Sequence, residues 1–204
     1  MSVLLDVNEV TVRFGGLTAL DRVSASVGPN EVVGVIGPNG AGKTTLFNVV
    51  CGFTRAESGR LSWQDKVLRR HQPRDLARLG IARTLQSLGL FQHLTVLENI
   101  MVGATRHGRS GIAAAMLASP TSDRDERQLR DRAVAQLDAL GIAEAADRLP
   151  GQLPYGVQKR VALARALVAE PKLLLLDEPA SGLSSEEMSD LGDLIRELRS
   201  RMSV

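Results

Sequence analysis

Nine consecutive residues, Gly37-Pro38-Asn39-Gly40-Ala41-Gly42-Lys43-Thr44-Thr45, satisfy the spacing G-x-x-x-x-G-K-[ST]. Glycines let a turn wrap close around an anion, so that successive backbone N–H groups point inward at a phosphate chain. A lysine next to them can reach the terminal phosphates of a nucleotide, and a threonine hydroxyl can hold Mg2+. Far along the chain, four leucines run directly into two acids: Leu173-Leu174-Leu175-Leu176-Asp177-Glu178. The first acid, Asp177, can hold Mg2+ through water. The second, Glu178, can polarise an attacking water. The chemistry these residues could do together is binding and hydrolysis of a nucleoside triphosphate.

Both groups need particular elements around them. Glu31 to Ile36 reads as a buried strand and Lys43 to Val50 as the start of a helix, which would put the glycine-rich turn at a positively polarised helix N-terminus. A glycine-rich turn that binds nothing is the rival reading, and the flanking strand and helix argue against it. The leucine run would bury both faces of a strand, as in a parallel sheet. Asp177 would then sit at the carboxyl end of that strand, where open α/β sheets bind ligands. A strand ending in two solvated acids is common and is the rival there; the phosphate loop weakens it.

A third segment carries a resemblance. Leu153-Pro154-Tyr155-Gly156-Val157-Gln158-Lys159-Arg160 leads into a helix through Arg165-Ala166-Leu167 just before the leucine strand. It resembles the L-S-G-G-Q signature and the helix after it in the ATP-binding cassette (ABC) family. Resemblance then extends along the chain. Phe14 matches the aromatic that stacks on adenine, Gln86 the Q-loop glutamine, and Pro179 to Ser184 the D-loop. Leu90-Phe91 and Leu94 to Ile100 are similar to the segment after the Q-loop in transporter ATPases, where a membrane subunit docks. Tyr155 in place of a signature glycine, the opening Val12 to Leu20, and the long stretch from Ile100 to Leu153 are similar to ATPases of branched-chain amino acid importers.

The resemblance implies an α/β P-loop fold, with a mainly parallel core sheet, an N-terminal antiparallel β portion and an inserted helical subdomain. It implies one domain over 1–204, in which 1–86 and 159–204 form the catalytic core and 87–158 the helical subdomain with the signature. ATP would contact Phe14, the loop Gly37 to Thr45 and, from a second subunit, Tyr155 and Gly156. Mg2+ would be held by Thr44, Gln86 and Asp177, with Glu178 and Gln86 serving hydrolysis. The partners implied are a second ATPase subunit, identical or not, placed head to tail, and integral membrane permease subunits. Such an assembly places the chain at the cytoplasmic face of the plasma membrane.

Three departures stand out. The signature serine position is Pro154, which cannot donate a hydrogen bond. The D-loop aspartate position is Ser184. The family pattern continues past the D-loop helix into a strand ending in a switch histidine, whereas this sequence stops at Val204, with Met202-Ser203-Val204 reading as that strand's beginning. The chain is therefore expected to be incomplete at its C-terminus. His71, His93 and His107 all precede the Asp177 strand and lie too far apart to form a metal cluster; all three read as surface or loop residues.

Composition is compatible with this reading. A net charge of +2 over 204 residues is too small to argue for nucleic acid. The single cysteine, Cys51, excludes an intramolecular disulfide and should pack on the helix after the loop. No apolar run reaches the roughly 20 residues that span a bilayer; Gly111 to Leu117 comes nearest. Short strands are expected through residues 3–36, and a hairpin from Gly59 to Leu68 with its turn at Gln64-Asp65, where Trp63 packs. A short helix is expected from Pro73 to Leu79, a strand from Ile81 to Thr84, a helix from Asp123 to Leu140 capped by Gly141, and a last helix from Glu186 to Arg199.

The expected function is an ATP-binding and ATP-hydrolysing motor of an ABC importer, with branched-chain amino acids as cargo. Two alternatives stay within the family: a nucleotide-binding, hydrolysis-defective fragment of such a subunit, and an ABC ATPase serving another transport system. An ABC ATPase acting on DNA or ribosomes would carry coiled-coil insertions, zinc modules or paired ATPase domains, which the sequence lacks. A kinase or GTPase would have no use for the signature helix.

Overall fold

A computed structural model describes residues 3–84, 88–104 and 120–204. Gln86, His107 and the apolar run Gly111 to Leu117 lie outside the described residues. The chain forms two compact units, one of Met1–Ile81 with Ser189–Val204 and one of Ala82–Met188.

The first unit is built on an antiparallel sheet in the order β2-β1-β3-β4. Strands β1 (Leu5–Phe14) and β2 (Leu17–Val27) form a long hairpin, in place of several short strands. A bulge explains how β1 keeps one face buried from Leu5 to Val12. Leu5 and Val7 alternate into the core; at Glu9 φ turns to 47° and the register shifts, and Val10 and Val12 then take over the same face at 1% exposure. Without the extra residue the acid Glu9 would face inward instead. Strands β3 (Ser58–Trp63) and β4 (Lys66–Val67) make the expected hairpin through Gln64-Asp65, both with positive φ, and Trp63 is buried against β1 partner Leu5. Helix α1 (Lys43–Val50) follows the phosphate loop, with Cys51 fully buried at its C-cap. A short helical passage, a 3-10 turn at Pro73–Asp75 and α2 (Leu76–Leu79), occurs where it was expected.

The segment Glu31 to Ile36 departs from expectation. It is not a strand and it is not buried: Val32, Val35 and Ile36 are exposed, Ile36 almost completely. Its backbone pairing with described residues is limited to Val204. The Val33 N–H donates to Val204 O and the Val204 N–H to Glu31 O, both at 2.9 Å, the bonding of a single parallel bridge about Val32. An apolar run becomes a buried strand only when neighbours supply a ladder and a covering layer, and one bridge supplies neither.

In the second unit β5 (Ile81–Thr84) pairs with β6 (Leu173–Leu176), whose first three leucines are buried. Three helices pack together: α3 (Val96–Gly103), α4 (Pro120–Ala139) and α5 (Tyr155–Leu167). Val96, Ile100, Ala133, Leu137, Val161 and Ala164 supply the buried faces. Gly103 permits the closest approach, because a Cβ there would collide with the Arg165 carbonyl of α5. Helix α3 opens on a capping box in which Thr95 accepts from the Glu98 N–H at 3.2 Å and Glu98 accepts from the Thr95 N–H at 2.7 Å. Gly141, at φ 64°, follows α4 and ends it. Helix α6 (Ser185–Leu198) leads back into the first unit. Among the described residues, no helix is long and apolar enough to cross a membrane.

Candidate functional site

Gly42 is the pivot of the phosphate loop. It is the N-cap of α1 at φ 86°, and a Cβ on it would collide with the Ala19 carbonyl and come within 2.8 Å of Leu20. Only glycine meets both demands. Gly40, at φ 82°, needs the same left-handed backbone but faces open space. The first turn of α1 holds no acidic residue and no side-chain cap, which leaves its N–H groups and partial positive charge for an anion. Ala41 N–H donates to Pro38 O at 3.2 Å, and the Lys43 ammonium donates to the Gly37 and Pro38 carbonyls at 2.7 and 2.8 Å. Asn39 and Thr44 are exposed, and Thr45 is half-buried.

Phe14 lies in the same unit. It ends β1 opposite Leu17, across a turn at Gly15 with φ 58°, and is 54% exposed. Leu17 precedes Ala19, the residue against which Gly42 packs, by two positions on β2, roughly 7 Å along an extended strand. The hairpin therefore carries a half-exposed aromatic at the end of β1 and packs the N-terminus of α1 against β2.

In the second unit Asp177 follows β6, as expected. Its carboxylate is 8% exposed, and Oδ2 accepts from Arg83 Nη2 of β5 at 2.7 Å. Glu178 is exposed and adopts φ 50°, a conformation sparsely used by residues with a side chain and one that recurs where geometry serves function. Thr44 in the first unit offers a hydroxyl oxygen and Asp177 in the second a carboxylate, each by itself a hard oxygen of the kind Mg2+ takes.

The signature segment is joined to the D-loop of its own chain. Pro154 stands at the N-cap of α5, and its carbonyl accepts from the Gln158 N–H at 3.0 Å. Tyr155 is exposed at the first helical position. Lys159 donates to Pro179 O at 2.8 Å and to Ser181 O, with its ammonium 5.2 Å from the centre of the Tyr155 ring. Burial draws the Lys159 pKa down, against the opposing pull of Glu187. The α-carbon of Gly156 faces Glu187, whose carboxylate occupies the volume a Cβ would need. Glu187 in turn caps α6 by accepting from the Ser184 N–H at 2.8 Å. The fifth letter of L-S-G-G-Q falls on Val157, a further departure, with Gln158 one place later.

Sequence reading located the loop and the acids but assigned no role to Arg83, Lys159, Arg165 or Asn99. Asn99, fully buried, accepts from the Phe91 N–H and donates to the Phe91, Leu94 and Thr95 carbonyls. Its neighbours Val96, Leu97 and Ile100 are buried too, so the expected docking surface contracts: Phe91 is exposed and those three belong to the core. His71 bonds the Val50 carbonyl at 2.9 Å and serves packing. Among the described residues, no group of three or more His, Cys, Asp or Glu could hold a metal by itself.

The family model described as ABC transporter matches residues 20–181. The high-affinity branched-chain amino acid transport ATP-binding protein LivG of Escherichia coli K12 is 41% identical over 196 residues, covering 96% of this chain and 77% of that protein. The corresponding BraF protein of Pseudomonas aeruginosa is 39% identical, with 98% and 79% covered. A crystal structure of a nucleotide-free ATP-binding cassette from an ABC transporter superposes with a TM-score of 0.82 at 32% identity, over 98% of this chain and 79% of that one. A crystal structure of the ADP conformation of an ATP-binding cassette of an ABC transporter gives 0.82 at 31%, over 100% and 80%. Its α/β fold is that of these cassettes, and with most of its length inside the family model the chain belongs to the ABC transporter family, among the ATP-binding subunits that hydrolyse ATP.

Proposed function

We propose that the chain powers import of branched-chain amino acids, as one of two ATPase subunits attached to membrane permease subunits at the cytoplasmic face. The observation that carries this reading is the 41% identity to LivG across 96% of the chain, which extends well beyond the motifs that all ABC ATPases share. Residues 1–86 and 159–204 act as the catalytic core and 87–158 as the helical subdomain. Exposed Phe91 is the contact offered to a permease.

Phe14 stacks on the adenine. The N–H groups from Gly37 to Thr45 and the Lys43 ammonium, turned away from its two carbonyls, bind the phosphates. Thr44, Gln86 and Asp177 hold Mg2+, which when bound neutralises phosphate charge. Glu178 takes the proton of the attacking water, with Gln86 helping to orient it. Tyr155 and Gly156 face the nucleotide of the second subunit. Pro154 supplies no hydroxyl there, so α5 contributes backbone N–H groups and its positive end.

The test is uptake of labelled leucine by cells lacking the gene. Loss of uptake, restored by the wild-type gene and not by Lys43→Ala, is expected. Unchanged leucine uptake in the deletion strain would assign the subunit to another solute.

A further inference from the structure

The Arg83–Asp177 pair is a buried contact of the site that the chemistry above does not require. Both side chains are 8% exposed, and the bond of 2.7 Å joins residues 94 apart in sequence across the paired strands β5 and β6. Two buried opposite charges are not retained cheaply, since desolvation offsets much of their attraction. A guanidinium beside the acid that takes a divalent cation also works against that cation, because the two positive charges repel. A sheet in need of a staple alone would gain as much from an apolar pair of the same volume.

We propose that Arg83 is a positioning residue that sets the cation affinity of Asp177. Its Nη2 holds Oδ2, which fixes the carboxylate at the end of β6 and leaves Oδ1 for the metal. Its charge repels the doubly charged cation that the acid attracts and so offsets part of that attraction, and the cation is held loosely enough to leave with the product. This rests on Asp177 being the metal-binding acid. The neighbouring Glu178 is exposed, so solvent screens its charge and Arg83 is the countercharge Asp177 feels most directly.

The experiment uses the full chain with a non-hydrolysable ATP analogue, titrated with Mn2+. Free Mn2+ is read by its paramagnetic resonance signal and the thermal midpoint is followed in parallel. In Arg83→Met the half-saturating Mn2+ concentration should fall about tenfold, the order expected for removing one partly buried charge near the site. The same variant should be less stable than wild type without Mn2+ and should recover most of that loss with it. Arg83→Lys keeps a charge at shorter reach and should shift half-saturation in the same direction by less; it carries the test if Arg83→Met does not fold. A staple without electrostatic function would lower the midpoint equally at every Mn2+ concentration and leave half-saturation unmoved, and that result overturns the proposal. Asp177→Asn separates the two levels. If it retains wild-type Mn2+ dependence, Asp177 is not the metal acid and both readings fall. If it loses that dependence while Arg83→Met matches wild type, only the role of Arg83 falls.

Discussion

Arg165, in the helix that follows the signature, grips Leu88: Nη2 donates to the Leu88 carbonyl at 2.8 Å, and Nη1 to the Gly89 carbonyl at 2.6 Å. Leu88 and Gly89 both have φ 56°, so the guanidinium closes on a kinked stretch of backbone two residues past Gln86. Burial lowers the Arg165 pKa, yet a guanidinium stays charged at any physiological pH. One side chain thus ties the signature helix to the chain that leads out of the Q-loop.

Arg165→Met should therefore affect turnover more than binding. Each charge-assisted bond to a carbonyl typically contributes about 1.5–3 kcal/mol. The variant should show a lower thermal midpoint and a clear loss of ATPase rate, with ATP affinity near wild type. A variant whose rate is unchanged would reduce the contact to simple packing.

Gly42 and Gly40 offer a matched pair of substitutions. Both need positive φ, a penalty of roughly 1–2 kcal/mol for a residue with a Cβ. Gly42→Ala must also push the new methyl into the Ala19 carbonyl, whereas Gly40→Ala meets no atom within 4 Å. Thermal denaturation and calorimetric nucleotide titration should find Gly42→Ala much the more damaging of the two. Equal effects would mean that α1 can move off β2 freely.

Glu178→Gln should retain nucleotide binding and lose turnover by roughly 10²–10⁴-fold, the range for loss of a general base. The exposed side chain predicts little change in the thermal midpoint. Binding is checked by calorimetry and turnover by phosphate release. Wild-type turnover in this variant would move the base elsewhere.

The α3 cap supplies a pH prediction. Bonds from the Thr95 backbone N–H, and then from its hydroxyl, lower the Glu98 pKa below its ordinary value. A depressed folded pKa means that the stabilisation is complete above the unfolded pKa, near 4.3, and is lost as pH falls through the lower folded value. Wild type should exceed Glu98→Gln in thermal midpoint at pH 7, and the gap should close below about pH 4. A gap that stays constant down to pH 2.5 would exclude the charge as its source.

Local sequence determined much of this protein. The G-x-x-x-x-G-K-[ST] spacing marks where α1 begins because Gly42 must turn left-handed there, and Gln64-Asp65 marks the β3–β4 hairpin for the same local reason. The leucine run placed Asp177 after β6. Periodicity located α4, and Thr95 with Glu98 carries the cap of α3 in four residues. In each case the interacting groups lie within a few residues, so the pattern is visible in the chain itself.

Tertiary structure decided the rest. The apolar Glu31 to Ile36 run has the composition of a buried strand, and whether it is one depends on partners remote in sequence; among the described residues its backbone pairs with Val204 alone. The bulge at Glu9 is set by pairing with β2 and β3. Arg83 and Lys159 look like ordinary charges within their motifs, and their roles arise from contacts with Asp177, Pro179 and Ser181. A long side chain with several free torsions can meet any of many partners, and only the packing of strands and helices around it selects which one.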